Sequence, residues 1–186
     1  YDLVIRYVYE DEDLEEQLYN IKTSQFSGII LLATEMDDTS ISYFSDFELP
    51  IVILDSYFEM LDYDCVKINN AQGAFLATSH LISKRKTQPG YLCSSYPTHN
   101  FQERSEGFYK AIRTNGMSRA RCVVHALSPS QEGAYADMKE ILESGEAPAP
   151  CYFADNDLIA IGAITALKEC GYRIPEDIAV IGFGDL

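Results

Sequence analysis

Apolar positions along this chain follow two alternating periods, short runs of β-branched and aromatic residues and longer stretches with helical spacing. Residues 3–9, LVIRYVY, read as a first strand. DEDLEEQLYNI follows, with Leu14, Leu18 and Ile21 on one helical face and acids in the first turn. Gly28 opens IILLA, a continuous apolar run of the kind that suits a strand covered on both faces. TEMDDTSISYFSDF reads as an exposed turn at Asp37 and Asp38 and then a brief helix before Pro50. IVILD at 51–55 and CVKI at 65–68 are further strands.

The pattern then repeats. Asn70 is expected to cap the helix AQGAFLATSHLI, with Phe75, Leu76, Ser79 and Ile82 along its packed face and His80 among the packing residues. YLCS is a strand, and QERSEGFYKAIRTNG a helix closed by Asn-Gly. ARCVVHA is a strand; SQEGAYADMKEILESG is a helix with Met138, Ile141 and Leu142 inward and Gly145 at its end. CYFA, DLIAIGAITALKECG and DIAVIGF complete a strand, helix and strand. Repeated βα units predict an α/β fold with mostly parallel sheets. The strands fall into two sets with the basic, proline-containing SKRKTQPG between them. That predicts two lobes, 1–83 and 84–186, rather than one sheet of eight strands.

Charge narrows the partners. The chain has 186 residues and a formal net charge of -15, from 14 basic and 29 acidic side chains. An autonomous phosphate-binding surface is not expected of such a chain. Lys84, Arg85 and Lys86 read as a solvated turn. The five cysteines are scattered without a CxxC pair and several lie in strand-like context. They read as buried free thiols in a reducing compartment, hence a cytoplasmic location. No apolar run approaches 18 residues, so no membrane span is expected. The chain begins at Tyr1, already beside a strand, and stops at GFGDL just after one, which reads as a piece of a longer protein incomplete at both ends.

ADNDLIAIGAITALKECGYRIPEDIAVIGFGDL resembles the closing part of the effector-binding domain of LacI/GalR-type bacterial transcription regulators. FSGIILLA, LPIVILDS, VKINNAQGAFLATSHLI and ERSEGFYKAI precede it in that family's order and spacing. The resemblance covers essentially the whole chain. It implies a two-lobed fold like that of periplasmic sugar-binding proteins. It also implies a homodimer, and operator DNA binding only through an N-terminal helix-turn-helix domain that this chain lacks. Departures are Ser83-Lys84-Arg85-Lys86 in place of the usual Gly-His, and Gly184 in place of the usual Asp, with Asp185 next to it.

In parallel sheets, ligands bind beyond the carboxyl ends of strands. Asp55 closes IVILD, Arg104 stands at the start of the ERSEGF helix, and Asp157 follows CYFADN. The resemblance implies that the matching Asp, Arg and Asp hold a polar effector in a cleft between the lobes. Their chemistry suits vicinal hydroxyls, since carboxylates accept and a guanidinium donates. Tyr57, Asn100, Phe101 and Ser128 are weaker candidates for the same site. Each principal residue also has a structural alternative. Asp55 is a candidate Asx turn. Arg104 is a candidate surface ion pair with Glu103 or Glu106, and Asp157 a candidate helix cap unless Asn156 takes that place.

Catalysis finds little support: the three histidines lie apart, and no HExxH, GxGxxG or GxxxxGK pattern is present. No metal or cofactor is expected. The expected function is ligand sensing by a regulator, with a mono- or disaccharide as effector and a purine as its rival. The alternative is an extracytoplasmic sugar-binding protein of a transport system.

Overall fold

The computed structural model describes residues 2–9, 14–45 and 47–186. The chain divides into two compact units at Ile68/Asn69, fifteen residues ahead of the expected Ser83/Lys84 division. The helix that moves across is the one opened by Asn70. It packs on the helix after YLCS and on two strands of the later sheet, so burial, not the basic SKRKTQPG stretch, sets the division.

The first unit carries α1 (Leu14–Lys22), β1 (Ile29–Leu32), α2 (Asp38–Ser42), β2 (Ile51–Leu54) and β3 (Asp64–Val66). Its strands run parallel in the order β1-β2-β3, with Ile29 opposite Ile51 and Val52 opposite Asp64. Leu18, Ile41, Phe44, Phe47, Ile51, Ile53 and Phe58 form the buried core, with Ile21, Ile29 and Leu31 packed against it. Three expectations change here, and a fourth falls on residues that are not described. Residues 2–9 form no strand; among the described residues they pair with no ladder partner, and Leu3, Ile5 and Tyr7 are exposed. The acids at 11–13, placed in the first turn of α1, lie outside the described residues. β1 is buried on one face only, with Ile30 and Leu32 exposed on the other. Asp37 is more than a turn residue: its carboxylate caps α2 through the Ser40 N–H at 2.8 Å, which holds its pKa below the usual carboxylate value.

The second unit contains α3 (Asn70–Arg85), β4 (Gly90–Ser94), α4 (His99–Thr114), a 3₁₀ turn at Arg119–Arg121, β5 (Val124–Leu127), α5 (Gln131–Glu143), β6 (Cys151–Ala154), α6 (Asp157–Glu169) and β7 (Ala179–Ile181). All pairings are parallel, in the order β5-β4-β6-β7. The two-residue period of the strands assigns each side chain to a layer. Tyr91, Cys151 and Phe153 meet Ala74, Leu81, Phe108 and Ile112 of α3 and α4. Leu92, Tyr152 and Ala154 meet Ala134, Met138, Ile159 and Ala163 of α5 and α6. Close helix contacts rest on small residues: a Cβ on Gly107 would lie 2.2 Å from the Ala71 carbonyl oxygen, and one on Gly162 would lie 2.4 Å from that of Gln131.

Helix starts and faces refine the sequence expectations. Asn69, not Asn70, caps α3, which frees Asn70 to point inward, fully buried. The packed face of α3 is Ala74, Thr78, Leu81 and Ile82; Leu76 and His80 are exposed. The expected face was displaced because Ala74, small enough to let Gly107 of α4 approach, carries the contact. All five cysteines are free, yet only Cys151 is fully buried, and Cys170 is exposed.

Candidate functional site

β4 and β6 lie side by side, with Leu92 opposite Ala154, so their carboxyl ends emerge together. Asp155 is the first residue past β6, and its side chain turns inward, 1% exposed. One carboxylate oxygen accepts the Tyr91 hydroxyl and the other accepts the Ser94 N–H at 2.7 Å. The carboxylate thus fastens the end of β6 to β4. Burial pushes the Asp155 carboxyl up to about 6, against the opposing pull of Tyr91, Ser94 and Arg104. The same environment raises the Tyr91 phenol well above its ordinary range.

Arg104 projects from the second turn of α4 into this region and is itself buried, at 8% exposure. Its Nη1 donates to the Asp155 backbone carbonyl at 2.6 Å and its Nε to the Asn70 side-chain oxygen at 2.9 Å. Asn70 in turn donates to Asn100 Oδ1 at 2.9 Å and to Glu103 Oε2 at 3.0 Å. The guanidinium carbon lies 4.0 Å from the Phe183 ring centroid and 5.3 Å from that of Phe101. Aromatic faces favour a cation at such distances. Arg104 is therefore an oriented internal cation and not a surface residue. These contacts hold the fork in one orientation, so little side-chain freedom is left to lose.

Asp157 is the first residue of α6. The cap is Asn156, whose Oδ1 accepts the Ile159 N–H at 2.7 Å. Asp157 is half-buried and accepts the Leu186 N–H at 2.9 Å. Its Oδ1 lies only 2.0 Å from where a Cβ on Gly182 would stand, so this approach requires glycine. Asn100 and Phe101 join Arg104 in one cluster. Ser128 does not: its N–H donates to Asp137 at 2.7 Å and its hydroxyl faces Ser130 at the start of α5.

In the first unit, Asp55 ends β2 with a positive φ of 62°, a conformation that Asp tolerates better than most residues. Its carboxylate accepts the Thr34 hydroxyl at 2.8 Å, bridging the ends of β1 and β2. Tyr57, two residues on, is exposed, and Lys67 lies over its ring at 5.8 Å. Sequence reasoning missed Asp155, Tyr91, Asn70 and Phe183. The signals were faint: an acid directly after CYFA, a tyrosine inside an apolar strand, and a second asparagine beside the capping one. Among the described residues, no group of three His, Cys, Asp or Glu is arranged to hold a metal ion, and no helix is long and apolar enough to cross a membrane.

Residues 78–186 match the family described as Periplasmic binding protein-like domain. The chain is 30% identical to the HTH-type transcriptional repressor PurR of Mannheimia succiniciproducens, over 100% of this chain and 56% of that protein. It is 27% identical to the HTH-type transcriptional regulator GalR of Escherichia coli strain K12, over 99% of this chain and 54% of that one. A crystal structure of a LacI family transcriptional regulator from Enterococcus faecium with bound ribose superposes with a TM-score of 0.75 at 26% identity, covering 92% of this chain and 63% of that one. The chain thus spans about half the length of the curated relatives it matches. It belongs to the periplasmic binding protein-like family, as an effector-binding domain of the LacI/GalR regulator type.

Proposed function

We propose that this chain is the ligand-sensing part of a LacI/GalR-type regulator and binds a small neutral polyhydroxylated effector. The observation that carries this is the buried, aromatic-flanked Arg104 at the carboxyl ends of β4 and β6. Two of its donors already serve protein acceptors, and the Asp155 carboxylate and, by way of Asn70, Glu103 bring acidity near it. Such a setting disfavours a strongly anionic ligand and suits hydroxyls that both donate and accept. Arg104 and Asp157 are the principal contacts in the second unit, with Asn100 and Phe101 beside them. Asp55 and Tyr57 are the contacts of the first unit. The ribose-bound relative supports the sugar class.

Effector binding is coupled to operator DNA through a domain outside this chain, in a homodimer, in the cytoplasm; the chain is a sensor and not an enzyme. The free state of all five cysteines fits a reducing compartment. Relatives that are transcriptional regulators favour this reading over a transport role. Calorimetric titration with D-ribose, D-galactose, cellobiose and adenine tests it. Saturable binding of a sugar, lost in Arg104→Ala, is expected. Binding of adenine alone, or of none of the four, would refute the sugar assignment.

A further inference from the structure

We propose that Asp155 is a positioning residue for Arg104, and that its ionisation sets how the guanidinium is presented to ligand. The inference rests on reading Arg104 as an effector contact.

Two routes join the carboxylate to the guanidinium. The first is the Asp155 residue itself: its side chain is held by Tyr91 and Ser94, and its backbone carbonyl receives Arg104 Nη1 at 2.6 Å. Any shift of the carboxylate moves the carbonyl that anchors Arg104. The second runs through Tyr91, whose phenol also interacts with the side chain of Ser105, the neighbour of Arg104 on α4. Asp155, Tyr91 and Ser105 therefore form a chain that ends beside Arg104.

The hydrogen-bond inventory dictates what protonation does. As a carboxylate, Asp155 accepts at both oxygens. The Ser94 N–H can only donate, so it keeps its oxygen as an acceptor. The acid proton must then sit on the oxygen facing Tyr91. That phenol has to change from donor to acceptor and turn its own proton toward Ser105. Facing the carboxylate are Tyr91 and Cys93 from β4 and Arg104 from α4. From α3 comes the neutral Asn70 by way of Arg104, with Glu103 of α4 behind it. Burial holds the Asp155 carboxyl up to about 6, so the switch lies within reach of ordinary cellular acidification.

The experiment is a pH titration of the arginine side-chain nitrogen signals of the isotope-labelled chain by NMR, with Arg104 assigned through Arg104→Lys. In the wild type the Arg104 Nε signal is expected to titrate with a midpoint near 6. Asp155→Asn should abolish that transition. Tyr91→Phe should move its midpoint upward, because the Tyr91 hydrogen bond favours the carboxylate. A purely structural Asp155 would not produce this opposed pair of effects. An Arg104 signal that is constant between about pH 4.5 and about pH 8, or that titrates identically in Asp155→Asn, overturns the proposal. Should Asp155→Asn fail to fold, the wild-type and Tyr91→Phe curves decide alone. A parallel titration with D-ribose and D-galactose should show binding about tenfold weaker at about pH 5 than at about pH 7.5, the scale of one charge-assisted hydrogen bond. Equal affinity at both pH values counts against the proposal. If neither these two sugars nor cellobiose binds while the Arg104 transition is present, the sugar assignment fails and the positioning role of Asp155 stands.

Discussion

Asn156 and Asp157 are adjacent polar residues at the mouth of the same strand, and the structure divides their work in a way that a pair of alanine variants resolves. Asn156 caps α6 through the Ile159 N–H at 2.7 Å. Replacing it with alanine leaves that donor without its partner and should cost about 1 kcal/mol of stability. For a unit of this size that corresponds to a fall in melting temperature of about 4 °C. Effector affinity should stay within about twofold, because the cap faces the helix and not the ligand. Asp157→Ala keeps the cap. In the folded protein it removes the acceptor of the exposed Leu186 N–H, a bond that water can replace. If Asp157 contacts the effector, the loss of a charged partner costs roughly 2–5 kcal/mol of binding. Affinity for whichever sugar the titration panel identifies should then drop about 30-fold or more. Scanning calorimetry of the free proteins and titration calorimetry of the same preparations read the two effects separately. The reasoning fails if Asp157→Ala binds the sugar as tightly as wild type, or if Asn156→Ala weakens binding without lowering the melting temperature.

Three further outcomes are expected. The Asp155 carboxyl titrates near 6 in the folded protein against an ordinary 3.8, so the native state keeps a proton that the unfolded chain has lost between those values. Stability should therefore fall as pH rises through that window and level off above it, by on the order of 3 kcal/mol. Urea unfolding should show that difference between wild type and Asp155→Asn, and parallel curves would contradict it. Gly107→Ala drives a Cβ to 2.2 Å from the Ala71 carbonyl oxygen. The α3–α4 contact should be forced apart at a cost of about 1–3 kcal/mol, again by urea unfolding, and an unchanged midpoint would refute the contact. In native thiol labelling, Cys170 should react first and Cys151 last, since Cys151 is buried and its thiol is pushed up to about 11. Early modification of Cys151, read by peptide mass, would refute its burial.

The alternation of strand and helix was legible in the sequence because it depends on local spacing. CYFA, YLCS and IVILD carry the residues that fit a pleated, buried surface, and the helices between them carry capping residues and closing glycines. Two separate parallel sheets followed from that count, as did the placement of Asp55 after β2 and Asp157 at the start of α6; Arg104 lies a turn deeper in α4 than expected, because Thr98 caps that helix ahead of His99. The boundary between the units did not follow. α3 belongs with the later sheet because Ala74 admits α4 at Gly107, and a composition shift at Lys84–Lys86 says nothing about which surface a helix buries. The two-sided burial expected for β1 failed for the same reason: a run such as IILL fixes a strand but not what covers each face. The inward turn of Asp155 was hidden most deeply. An acid after a strand is ordinarily a solvated loop residue. Only the parallel register of β4 and β6 brings Tyr91 and the Ser94 N–H within reach of its two oxygens, and so makes burial of that charge tolerable. Local chemistry determined the elements; long-range hydrogen bonding, which depends on register between segments about 60 residues apart, decided which polar side chains gather around Arg104.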